Sequence, residues 1–276
     1  MRSLESSTRG ALVLLVMGTA GPGGGCRPAE PRTEADRLAR GREVIERMSV
    51  KLGSARALRV TTHEVREEAK SSGGTRPVTL TRETVVRRPD RLYFKVSGDR
   101  ENEVWYDGVG VTLALHKEKV FAQSRAPETL DKTLDVIAER YGFSAPFADY
   151  VYSSPAKALL AETTTGGWVG RETVDGHPTD HLAFKDKGVE WDLWVSAEGD
   201  PVPRKATAVF SGEPRLRKLA MTFTDWDLAP QVADDRFAPS VPEDYEGIAM
   251  LQRARILRNL PSEGEGGEPA QGEPKK

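Results

Sequence analysis

The spacing of apolar residues changes along the chain and separates helical from extended segments. Residues 34–52 place their apolar side chains at helical intervals, so this segment is predicted to form an amphipathic helix that ends at Gly53. Two further helices are predicted, one over residues 127–142 and a shorter one that begins at Ser154-Pro155. The apolar face of the first helix is defined by Leu38, Ile45, Met48 and Leu52.

Outside these helices, apolar and polar residues alternate with the period of two that is typical of half-buried strands. Turn sequences such as Arg88-Pro89-Asp90 and Asp107-Gly108 separate the runs and indicate antiparallel hairpins. About ten strands and three helices predict a β-dominated α+β domain built on an antiparallel sheet. The predicted strands cover residues 78–86, 92–96, 104–106, 111–115, 120–122, 168–174, 179–185, 189–195, 206–210 and 219–223.

The two ends of the chain differ from this central part, which we assign to one domain over residues 34–245. Two arginines precede a short apolar run, so residues 1–25 are predicted to be a secretory signal peptide. Residues 246–260 are predicted to form a short amphipathic helix. Residues 261–276 are rich in Gly, Pro and Glu and are predicted to be disordered.

Cys26 follows a run of small residues and resembles the lipidated cysteine of bacterial lipoprotein signals. Residues 26–33 would then form a tether, and Arg27 after the cysteine indicates, by the same resemblance, sorting to the outer membrane. A signal-peptidase cut after Ala20 would instead leave Cys26 as a free thiol. We favour lipidation and predict a protein that is lipid-anchored at the periplasmic side of the outer membrane.

Composition excludes several classes of protein. Hydrophobic residues make up 38% of the chain, which is too many for a wholly disordered protein. The net charge of -2 gives no excess of positive charge for binding nucleic acid. A single cysteine excludes an intrachain disulfide and any multi-cysteine metal site. A local basic cluster of Arg82, Arg87, Arg88 and Arg91 is interpreted as surface ion pairing with neighbouring carboxylates.

Several short strings together resemble a bacterial family of predicted periplasmic proteins of unknown function over roughly residues 35–245. That family is grouped with lipoprotein carriers of the LolA and LolB type. The resemblance implies an incomplete barrel, with helices across the concave face of a curved sheet and a lipid or acyl chain between them. It implies no catalytic residue and no cofactor. The strings include Arg87-Arg88-Pro89-Asp90-Arg91-Leu92, Tyr106-Asp107-Gly108, Ala126-Pro127-Glu128-Thr129-Leu130, Asp180-His181-Leu182-Ala183-Phe184 and Trp191-Asp192-Leu193-Trp194.

The leading hypothesis is an exported, non-enzymatic protein that binds a lipid or lipoprotein acyl chain in an apolar cavity. One alternative is an envelope module on the same fold that binds or senses a partner protein. Another is a metal-dependent hydrolase at His177 and His181, although a structural role for His181 within the sheet is favoured. The predicted cavity-lining residues are Leu80, Phe94, Leu113, Leu134, Ile137, Trp191, Leu193 and Phe223.

Overall fold

The computed structural model of the protein describes residues 30–70, 72–141, 147–211 and 216–250. The predicted signal peptide, Cys26 and the predicted disordered tail lie outside these residues, as does most of the predicted C-terminal helix. Within the described ranges, no helix combines the length and the apolar character that are needed to cross a bilayer.

Twelve strands form one curved sheet. Their bounds are β1 Ala57–Ala69, β2 Thr75–Arg87, β3 Arg91–Gly98, β4 Asn102–Tyr106, β5 Gly110–Leu115, β6 Val120–Arg125, β7 Thr165–Val174, β8 His177–Asp186, β9 Val189–Ser196, β10 Pro203–Phe210, β11 Leu216–Asp227 and β12 Glu246–Ile248. The spatial order is β12-β6-β5-β4-β3-β2-β1-β11-β10-β9-β8-β7. Neighbouring strands pair antiparallel except β12, which pairs parallel to β6.

The predicted β-dominated α+β class is therefore confirmed, but the number of strands is twelve rather than ten. The first additional strand, β1, was missed because its inward-facing positions include Thr62 and Glu64, which interrupt the apolar alternation. The second, β12, has three residues and lies where residues 246–260 were predicted to be helical. That prediction is wrong for Glu246–Ile248, because the backbone of this segment pairs with β6 and forms a strand.

The first helix, α1, runs from Glu34 to Ser54 and begins at a capping box formed by Thr33 and Asp36. Ile45, Met48 and Leu52 of its apolar face are fully buried and Leu38 is partly buried, and the helix packs against β7, β9 and a short third helix, α3, at Pro155–Leu159. Gly41 allows this close packing, since a Cβ at this position would lie 2.8 Å from the Cα of Gly167 in β7. The helix is thus part of the core.

The second helix is shorter than the segment predicted over residues 127–142. It begins after Thr129, whose hydroxyl caps it, and α2 covers Leu130–Val136. A π-helical turn, Ile137–Tyr141, continues from its end. The preceding Pro127 lies outside the helix, and its carbonyl oxygen accepts a hydrogen bond of 2.6 Å from the Tyr106 hydroxyl.

The inner face of the sheet is filled unevenly. Over β7 to β11, α1 packs on β7 and β9, and its apolar side chains belong to one core cluster with the inner-face residues of β8, β10 and β11. Over β2 to β5, the inner face is covered by α2 and by residues 147–152. The outer face of these strands carries a smaller cluster centred on Phe237, which lies in a 3-10 turn at Asp234–Phe237.

Candidate functional site

A cavity of about 400 Å³ lies between the inner face of β2 to β5 and the cover formed by α2 and residues 147–152. This volume falls within the range of roughly 300–1,000 Å³ that is typical of small-molecule pockets. The side chains that line it are mainly aliphatic and aromatic. Several of them, including Phe94, Leu113 and Ile137, remain partly exposed because neighbouring protein atoms do not fill the space.

The floor of the cavity consists of three rows of side chains that run across β3, β4 and β5. Residues two apart in a strand point to the same face, so each strand contributes one side chain to each row. Leu92 and Val96 are four residues apart, and the first and third rows are therefore separated by about 13 Å. The first row is Leu92, Tyr106 and Val111, the second is Phe94, Val104 and Leu113, and the third is Val96, Asn102 and Leu115.

The cover consists of two segments that are joined by hydrogen bonds. Leu134 and Ile137 point into the cavity from α2 and from the π-helical turn that follows it. The Tyr152 hydroxyl donates to Asp135 at 2.9 Å, and Asp131 accepts a hydrogen bond of 2.9 Å from the backbone N–H of Ser153. These two carboxylates therefore connect α2 to the second segment of the cover.

The third row continues into a buried ion-pair cluster on β1 and β2. Arg82, which lies opposite Val96, donates its Nε–H to Oε1 of Glu64 at 3.0 Å. Arg66 donates its Nε–H to the other carboxylate oxygen, Oε2, at 3.0 Å. Glu64 and Arg82 are almost completely buried, and both arginines line the cavity. The mainly apolar cavity thus has a cluster of charged groups at one end.

The electrostatics of this cluster keep Glu64 ionised. Burial alone would raise the pKa of Glu64, but the positive charges of Arg82 and Arg66 and their hydrogen bonds outweigh it and lower the pKa below its ordinary value. The Arg82 guanidinium also lies 3.9 Å from the ring centroid of Phe147 in the cover. Cation–π contact with this ring partly compensates for the lost hydration of Arg82.

Asp149 is a carboxylate that lines the cavity from the cover. Burial raises its pKa to about 6. Between about pH 4 and pH 6 the folded state therefore retains a proton that the unfolded state has released, so folding stability decreases as the pH rises through this interval. Above pH 6 the cost of the buried charge is present in full.

We expect Asp149→Asn to increase the free energy of unfolding by about 2–3 kcal/mol at pH 7.5, because the variant buries no charge there. Near pH 4 the folded carboxyl is protonated and the unfolded one is only about half ionised, so the difference between the two proteins should fall below about 1 kcal/mol. Urea unfolding at both pH values measures this. An identical difference between the two proteins at pH 4 and pH 7.5 would contradict the assignment.

The structure brings together five of the eight side chains predicted to line a cavity, namely Leu80, Phe94, Leu113, Leu134 and Ile137. The remaining three lie over the other half of the sheet. Trp191 lines a separate cavity of about 190 Å³ beside α3. Leu193 and Phe223 are buried in the continuous core, where α1 and Tyr150 occupy the space in front of β9 and β11.

The charged end of the cavity was missed by the sequence analysis. The interpretation of Arg82 as a surface residue is wrong, since its side chain is only 5% exposed and pairs with Glu64. Arg82 and Val86 are four residues apart in β2 and therefore point to the same face of the sheet, and Val86 faces the core. This signal was present in the sequence, but the partner carboxylate lies on β1, which was not predicted.

His177 and His181 do not form a metal site with nearby carboxylates. His177 is exposed, whereas His181 stacks on Trp194 with the ring centroids 4.2 Å apart. Its two ring nitrogens lie 2.8 Å from Glu172 and 2.8 Å from Asp192. In the part of the chain that the structure describes, no group of three His, Cys, Asp or Glu side chains could hold a metal ion. The observed contacts are those of a structural histidine.

Comparison with known proteins finds one matching family. Residues 41–251 match the family described as predicted periplasmic protein, DUF2092. No curated protein matches the chain by sequence.

Several solved structures are similar to this chain at low sequence identity. The lipoprotein LppX of Mycobacterium tuberculosis is 13% identical with a TM-score of 0.41, over 69% of this chain and 98% of LppX. A LolA superfamily protein of Nitrosomonas europaea is 10% identical with a TM-score of 0.31, over 72% and 97% of the two chains. MucB, from the Pseudomonas aeruginosa MucA/MucB complex, is 16% identical with a TM-score of 0.40; the match covers 72% of this chain but only 61% of that chain.

Proposed function

Because the chain belongs to the DUF2092 family of predicted periplasmic proteins, we propose that it is exported and binds a lipid or lipoprotein acyl chain in the cavity beneath α2. The protein acts as a non-enzymatic carrier or binder. Its ligand is held by burial of apolar surface, and the chemistry of the ligand does not change.

The observation that carries this proposal is the vacant apolar cavity on the inner face of β2 to β5. On the same sheet, α1 and α3 cover the inner face of β7 to β11 and leave about 190 Å³ beside α3, whereas over β2 to β5 a volume of about 400 Å³ is left. Each chain methylene moved from water into such a space contributes about 0.8 kcal/mol. An acyl chain of several methylenes is therefore bound without any specific polar contact.

The same proposal includes a lipid anchor on Cys26 and a position at the periplasmic side of the outer membrane. This residue lies outside the described part of the chain, and the anchor is proposed from the sequence pattern alone. An acylated N-terminus followed by the tether of residues 26–33 would keep the cavity near the bilayer from which a lipid is taken.

Mass spectrometry of the full chain, purified from its own envelope, tests both parts of the proposal. We expect one mass shift that corresponds to a diacylglyceryl group on Cys26, and a second, non-covalent species that carries a bound lipid. If unfolding releases the bound lipid but the mass shift on Cys26 remains, the two signals distinguish the ligand from the anchor. A protein that purifies without lipid and binds none when lipid is supplied would contradict the carrier function.

A larger side chain within the cavity should block ligand binding. Leu113 is partly exposed in the second row, and Leu113→Trp places an indole in the vacant space. We expect the affinity for dodecan-1-ol to fall at least tenfold, because the alkyl chain and the indole would occupy the same volume. Isothermal titration calorimetry measures the affinity.

The matched control is Val65→Trp. Val65 is 52% exposed and does not line this cavity, so its replacement by tryptophan should leave the affinity for dodecan-1-ol unchanged. Equal affinities of the Leu113 and Val65 variants would place the ligand elsewhere on the protein.

A further inference from the structure

The charged end of the cavity is cationic. Among the described residues that line it, Arg66, Arg82 and Arg100 carry guanidinium groups, whereas Asp149 in the cover carries the only carboxylate. Glu64, behind this lining, is shared by Arg66 and Arg82, so its single negative charge balances only one of them, whereas Arg100 pairs with Glu68 at 2.6 Å. An apolar ligand alone gives no reason to keep two arginines that share one carboxylate beside a cavity.

The Arg82 guanidinium has unused hydrogen-bonding capacity. A guanidinium has five N–H donors, and within the described residues only its Nε–H donates to Glu64. Its planar group lies 3.9 Å from the centroid of Phe147 and 5.0 Å from that of Phe94, so aromatic rings hold it in place. The group is thus fixed at the cavity wall with donors that lack an acceptor.

A second polar group at the same end also lacks a partner. The side-chain oxygen of Asn102, in the third row, is buried without a hydrogen bond. The amide of Asn102 can present either its oxygen or its NH₂ group to a ligand, because these two orientations fill the same space. Arg82 and Asn102 both flank Val96 across the sheet and thus lie in one row.

We propose that this end of the cavity binds the anionic head group of a single-chain amphiphile, whose hydrocarbon chain lies along the first and second rows. This inference rests on the proposed function and adds the chemistry of the head group. Arg82 and Asn102 contact the head group directly, and Arg66 and Arg100 add positive charge. The separation of about 13 Å between the first and third rows leaves room for an extended chain segment.

Three ligands with the same twelve-carbon chain and different head groups test the proposal. Isothermal titration calorimetry with the purified full chain compares dodecanoate, dodecan-1-ol and dodecyltrimethylammonium at pH 7.5. We expect dodecanoate to bind at least tenfold more tightly than dodecan-1-ol, because charge-assisted hydrogen bonds form only with the carboxylate. Dodecyltrimethylammonium should bind more weakly than dodecan-1-ol, because its positive charge is repelled by the arginines.

Replacement of Arg82 tests the position of the head group. In Arg82→Gln, Glu64 retains Arg66 as its partner, and the affinity for dodecanoate should fall at least tenfold more than the affinity for dodecan-1-ol. If this variant does not fold, Arg100→Gln serves the same purpose, since Arg100 is 44% exposed, and its selective effect should be about threefold. The control Arg59→Gln removes an arginine that does not line the cavity, and it should change neither affinity.

Two outcomes would overturn this inference and leave the proposed function standing. In the first, dodecanoate and dodecan-1-ol bind equally well; in the second, dodecanoate is preferred but the preference is unaffected by both arginine variants. Acetate supplies the carboxylate head group without the hydrocarbon chain. If acetate bound as tightly as dodecanoate, this end of the cavity would be a simple anion site and not a site for an amphiphile. Failure of all three twelve-carbon ligands to bind would instead contradict the proposed function itself.

Discussion

Glu64→Gln is expected to lower the free energy of unfolding by about 3–5 kcal/mol, the range found when one partner of a buried ion pair is removed. The glutamine has nearly the same shape, so packing is retained and the loss is electrostatic. Arg82 would be left almost fully buried without a counter-charge, and Arg66 would lose its partner as well. Removing the carboxylate therefore costs more than the hydrogen bonds alone.

A double-mutant cycle measures this effect by urea unfolding at pH 7.5. Glu64→Gln and Arg82→Met should each be destabilising, whereas the double variant should lose clearly less than the sum, because the buried charge of Arg82 is no longer left without its carboxylate and only Arg66 remains unpaired. The negative control is Glu46→Ala on the exposed side of α1, which should change stability by less than about 0.5 kcal/mol. Additive losses in the double variant would contradict direct coupling between Glu64 and Arg82.

Gly41→Ala is expected to lower the free energy of unfolding by about 3 kcal/mol, near the upper end of the usual cost of overpacking. In an exposed helix the same change would raise stability by about 1 kcal/mol, because alanine is the better helix former. Here the added Cβ would lie 2.8 Å from Gly167 Cα and 2.9 Å from Trp168 N. These are backbone atoms, so α1 or β7 must shift.

Thermal and urea unfolding of Gly41→Ala and of its neighbour Arg42→Ala test this prediction. Arg42 lies on the exposed side of α1, and its replacement should change stability by less than about 0.5 kcal/mol. A gain in stability for Gly41→Ala would mean that helix propensity dominates and that α1 does not approach β7 as closely as the structure shows.

Most of the sheet could be predicted from the sequence, because the strands from Val78 to Phe223 alternate apolar and polar residues over a buried inner face. The alternation fails on β1, where Glu64 takes an inward position and is stabilised by arginines from two strands. A periodicity argument cannot anticipate such a partner, since the contact between Glu64 and Arg82 depends on how distant residues pair.

The apolar part of the candidate site could be predicted from the alternation of side chains along each strand, which places Phe94 and Leu113 on the inner face of the sheet. This alternation alone does not show whether the space in front of an inward-facing side chain is filled or vacant. Leu193 faces inward in the same way, yet α1 packs against its half of the sheet. That difference depends on where the helices cross the sheet, which is a tertiary property.

The cluster around Phe237 has a consequence for how a ligand enters and leaves. It covers the outer side of the strands whose inner side lines the cavity, and the hydrogen bond of 2.7 Å between His116 and Tyr245 fastens the same C-terminal stretch to β5 and β6. The outer side of these strands is thus closed by the protein's own side chains. For the proposed ligand we therefore expect exchange by displacement of α2, whose hydrogen bonds through Asp131 and Asp135 can be replaced by water at little cost.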